Sequence, residues 1–60
     1  MFFVAWWAGQ TWGEVSEVLS DMNKARKWIE EKCKVEKIER MEIIPFDTYE
    51  RAEEYRRTGK

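Results

Sequence analysis

The chain has 60 residues, 43% hydrophobic and 38% charged, with a formal net charge of −1. That balance excludes a disordered tail and suits one small α+β domain over residues 1–60, which buries only about 60% of its unfolded-state surface. One cysteine, Cys33, and no histidine exclude an internal disulfide and an ordinary zinc site, so no metal or cofactor is expected and a reducing, cytoplasmic setting fits.

Residues 2–8, FFVAWWA, are aromatic or β-branched apart from two alanines, which favours a strand. The run is too short to span a bilayer and lacks the basic flank of a secretory signal, so no membrane partner is expected. Alternation puts Phe2, Val4, Trp6 and Ala8 on one face and Phe3, Ala5 and Trp7 on the other, leaving both faces apolar. Gly9 and Gly13 bracket Gln10, Thr11 and Trp12 and suit a hairpin loop, through positive φ angles or a bulge. A second strand is expected over about residues 14–19.

Ser20 and Asp21 are both competent N-caps, and a helix is expected from about residue 22 to 34. Met22, Ala25, Trp28, Ile29 and Cys33 form its apolar stripe, on which Cys33 reads as a buried small hydrophobe. Residues 35–40 carry mixed charge without a clear period. Residues 41–46 read as a third strand, with Pro45 at its end because proline cannot donate to a ladder. Asp47, with Glu50 three residues on, is expected to cap a last helix whose Tyr49, Ala52 and Tyr55 face the sheet. Arg56 and Arg57 complement the dipole at its C-terminus.

The expected architecture is therefore α+β, a three-stranded antiparallel sheet in ββαβα order with two helices on one face. The other face then lacks a cover. It would expose Phe3 and Trp7, with Trp12 at the hairpin tip as a further anchor, and contiguous aromatic surface marks a protein interface. The chain is thus expected to be a non-enzymatic binding module that forms a homodimer or binds, inhibits or adapts another protein. Catalysis is not expected, since the commonest general base is missing and the pairs Glu30–Glu31 and Glu53–Glu54 point about 100° apart on their helices.

The hairpin FFVAWWAGQTWGEV and the segment IIPFDTYERAEEY, a strand ending in Phe, then a Thr and an Ala-Glu-containing helix, resemble the small domain at the N terminus of eukaryotic-type ribonuclease HI. That resemblance covers most of the chain and implies the same fold and an RNA or RNA/DNA-hybrid-binding alternative. In this reading Trp12 would stack and Lys24 and Lys27 would neutralise phosphate. The family carries basic residues between the hairpin glycines, where this chain has Gln10, Thr11 and Trp12. A protein partner therefore ranks ahead of nucleic acid.

Overall fold

A computed structural model describes residues 1–58. Strand β1 (Phe2–Ala8), strand β2 (Gly13–Val15), helix α1 (Met22–Val35), strand β3 (Arg40–Phe46) and helix α2 (Tyr49–Thr58) follow in that order. The sheet is antiparallel with β1 in the centre, in the order β2-β1-β3. The expected α+β class and ββαβα order hold.

The hairpin turns through residues 9–12, closed by the Gly9 N–H donating to the Trp12 carbonyl at 2.7 Å. Of the two roles expected of the glycines, positive φ or a bulge, neither Gly9 nor Gly13 takes positive φ; Gly13 is needed for close approach. A Cβ there would collide with the Trp7 carbonyl oxygen and lie 3.0 Å from Ala8 Cα.

Strand β2 is shorter than expected because the chain bulges after Val15. Val15 pairs with Trp6 and Leu19 bridges to Phe3, so β2 spends one residue more than β1 over the same stretch, the signature of a β-bulge. Ser16 closes the gap. Its N–H donates to the Ala5 carbonyl at 2.7 Å, its Oγ accepts from the Ala5 N–H at 2.9 Å and donates to the Glu17 carbonyl at 2.7 Å. A side-chain hydroxyl thus stands in for a backbone acceptor. Among the described residues Ser16 is the buried polar one, 2% exposed.

Asp21 rather than Ser20 caps α1, its Oδ1 accepting from the Lys24 N–H at 2.8 Å. The helix ends as the Glu36 N–H donates to the Lys32 carbonyl, and Ile38 packs on the core before β3 begins. At the second helix the cap is Thr48, not Asp47: its Oγ1 accepts from the Arg51 N–H at 3.2 Å. Asp47 lies one residue too early for that geometry and instead pairs with Arg51 at 3.5 Å on the surface.

The helices lie on opposite faces of the sheet, which corrects the one-sided arrangement. Helix α1 packs Ala25, Ile29 and Trp28 against Phe3, Ala5, Trp7, Leu19 and Ile43. Helix α2 covers the other face: Ala52 is fully buried there with Val4, Tyr49 meets Phe2 edge-on at 5.7 Å and Tyr55 meets Phe46 at 5.4 Å. The physical reason is the two-sided apolar alternation of β1. Each face needs its own cover, and each helix has one apolar stripe to supply it.

Candidate functional site

The structure places the expected partner face in the core. Trp7 is 2% exposed, its indole Nε1 donates to Glu14 Oε1 at 3.2 Å, and Phe3 is partly buried against the α1 cluster. Neither is free to meet a partner. Trp12 remains 52% exposed, with its ring edge-on to Trp7 at 5.0 Å and Glu36, Lys37 and Glu39 around it.

The nucleic-acid set does not assemble either. Lys24 sits in the first turn of α1, where its Nζ donates to Ser20 Oγ at 3.3 Å, and Lys27 flanks a shallow cleft with Leu19 and Trp28. On α1 the hairpin strands are reached by Lys32, about 12 Å beyond Lys24 along the helix axis, which pairs with Glu14. Trp12 and the two lysines therefore line separate clefts.

Cys33 is exposed, not buried. At 100° per residue Lys32 falls about 20° from the direction of Ala25, whereas Cys33 falls about 80° away. Lys32 accordingly takes the inward position, its stem over the sheet, its Nζ 5.4 Å from the Trp28 ring centroid and 3.0 Å from Glu14 Oε1. Long cationic side chains cover apolar surface in this way while the charge stays wet.

The Lys32 ammonium holds the Glu14 carboxyl below its ordinary value, with the Trp7 indole helping. A carboxylate whose folded-state pKa is depressed stabilises the fold above its unfolded value, and that contribution disappears as pH falls through the folded value. Glu14→Gln should therefore lose a modest amount of stability at neutral pH and converge with the wild type as pH falls below about 4.5, giving a shallower acid limb in a stability–pH profile. Denaturant titrations from neutral to acid pH measure this, and an unchanged acid slope would refute it. Tyr49 is shifted up by its Oη donating to Glu53 at 3.0 Å.

What the sheet leaves open lies on the α2 side. Trp6 and Val15 are register partners and so project from the same face, beyond the part that α2 covers. With Gly13, Glu14 and Tyr55 they line a cleft of about 380 Å³. Val15 is 43% exposed, and the Trp6 indole N–H is buried without a hydrogen-bond partner. Arg56 holds α2 against this end, its Nε donating to the Ser16 carbonyl at 2.9 Å. Trp6 was legible as part of the face opposite Phe3 and Trp7. Its pairing with Val15 depends on a loop of residues 9–12, and its incomplete cover on the short reach of α2.

Among the described residues no cluster of three or more His, Cys, Asp or Glu side chains could hold a metal ion, and no helix is long and apolar enough to cross a membrane. Comparison with family models, with curated proteins and with solved structures yields no match to this chain.

Proposed function

We propose that the chain is a non-enzymatic, cytoplasmic protein-binding module that engages another protein through the sheet face bearing Trp6 and Val15. The observation that carries this reading is the open cleft between those residues and Tyr55, aromatic on two sides and rimmed by an exposed aliphatic side chain. Tryptophan and tyrosine dominate binding hot spots because they bury large rigid surfaces at small entropic cost. The expected occupant is a protein presenting an apolar side chain to the cleft, with Trp12 at the same end of the molecule as an accessory contact.

The titratable groups support the non-enzymatic reading. The shifted ones, Glu14 and Tyr49, owe their shifts to ordinary surface neighbours, Lys32 and Glu53, rather than to an enclosed reactive cluster. Affinity capture from a native lysate tests the reading, with the wild type compared against Val15→Glu, a change at an exposed position that leaves the core intact. A protein retained by the wild type and lost from the variant is the expected result. Retention of the same proteins by both would overturn it, as would recovery of nucleic acid alone.

A further inference from the structure

The outer edge of β3 is open, and its backbone pattern is readable from the opposite side of the sheet. Phe3 exchanges both of its backbone bonds with Leu19, and Ala5 directs its N–H and carbonyl to Ser16. The odd residues of β1 thus point toward β2 and the even ones toward β3. In the antiparallel register Trp6↔Glu42 and Val4↔Ile44 are then the hydrogen-bonded pairs. Met41, Ile43 and Pro45 direct their backbone groups outward, away from the sheet. Pro45, opposite Phe3, has no N–H to offer, so it interrupts the free edge rather than the internal ladder.

Charges along this edge alternate about Met41, with Arg40 before it and Glu42 after it, all three exposed. The same alternation recurs one layer above. A cleft of about 290 Å³ between α1 and the edge is lined by Arg26, Ile29 and Glu30 on the helix and Met41, Glu42 and Ile43 on the strand. Met41 is 56% exposed over it.

We infer that the occupant of this edge is a second copy of the chain, paired antiparallel through β3 about a two-fold axis perpendicular to the sheet at Met41. In that register Met41 exchanges backbone hydrogen bonds with its counterpart, and each Arg40 stands opposite the Glu42 of the other copy. The α1 helices run antiparallel on one face, so each Arg26 approaches the Glu30 of the other copy, and the two Met41 side chains close the cleft between them. An isologous contact requires a self-complementary patch, and both layers of charge meet that requirement.

Neighbouring registers are penalised. Centring on Glu42 sets two carboxylates directly opposite, which destabilises a strand pair. Centring on Ile43 sets Arg40 opposite Phe46 and Glu42 opposite Ile44, so both opposite-charge pairs are lost. The charge order selects the register centred on Met41.

Sedimentation equilibrium across a dilution series tests this on the whole chain. The wild type should be mainly dimeric at about 100 μM and dissociate toward about 1 μM, as suits a small edge interface. Arg40→Glu and Glu42→Arg should each weaken the dimer about tenfold or more, and the double reversal should restore it, because it recreates the opposite-charge pairs with their signs exchanged. Each substituted side chain is exposed, so circular dichroism should show an unchanged fold. The Met41 amide should exchange with solvent more slowly at high protein concentration than at low. A monomer throughout the range overturns the inference, as does a dimer indifferent to both single reversals or a double reversal without recovery. A dimer broken by Val15→Glu instead would also overturn it and would locate self-association at the Trp6 cleft.

Discussion

Trp7→Ala is expected to remove most of the stability of the fold at room temperature. Trp7 is among the largest fully enclosed side chains of the fold, 2% exposed, packed within the cluster of Ala5, Leu19, Ala25 and Ile29. Truncating a buried aromatic to alanine costs about 3–5 kcal/mol through lost transfer energy and the cavity left behind. A domain of this length has a total stability of roughly 3–9 kcal/mol, so most of the margin disappears. The same change also releases Glu14 from its indole donor. Urea titration followed by circular dichroism measures the loss, with Trp12→Ala as the comparison, since Trp12 is 52% exposed and should cost about 1 kcal/mol. Comparable losses for the two variants would contradict the assignment of the α1 face as the core.

Ser16→Ala should destabilise the domain by about 1–3 kcal/mol, the cost of leaving a buried donor without a partner. The orphan would be the Ala5 N–H, which now donates to Ser16 Oγ at 2.9 Å in the middle of the central strand. Because Ala5 is fully buried, water cannot take over without opening the sheet. The measurable consequences are a lower denaturation midpoint at unchanged slope and faster hydrogen exchange at the Ala5 amide. If that amide stayed as protected as in the wild type, the hydroxyl would not be completing the ladder. Arg56 donates to the Ser16 backbone carbonyl, a contact the substitution keeps, so the attachment of α2 should persist.

Much of the fold was legible residue by residue. The apolar alternation of FFVAWWA, the competence of Asp21 as a cap, the three-and-four spacing of Ala25, Trp28 and Ile29, and the aromatic face of α2 are local signals, and each led to an element in its observed place. The misreadings were questions of orientation. Two apolar faces on β1 say that both need cover, not which helix takes which, and assigning both helices to one face left Phe3 and Trp7 falsely free. Cys33 looked interior because it continues the three-and-four spacing from Ile29, but it lies about 80° from Ala25, at the edge of the stripe, and Lys32 takes the inward position. Ser16 carried no periodic or capping signal. Its role depends on a bulge that exists only once Leu19 has found Phe3 across the sheet. Thr48 and Asp47 are adjacent and chemically equivalent as caps, so the choice between them depended on where the first helical turn could begin.

The brevity of β2 has a consequence for how the protein behaves in a crowded solution. Its free edge offers only the outward backbone groups of Gly13 and Val15 before the bulge turns the chain aside, too short a template for cross-β growth. At the other edge, Pro45 denies an incoming strand one donor. A chain this rich in aromatic strand residues would otherwise be prone to fibril formation. Here neither rim of the sheet can propagate a ladder indefinitely, so the apolar residues that stabilise the fold are kept from seeding a polymer.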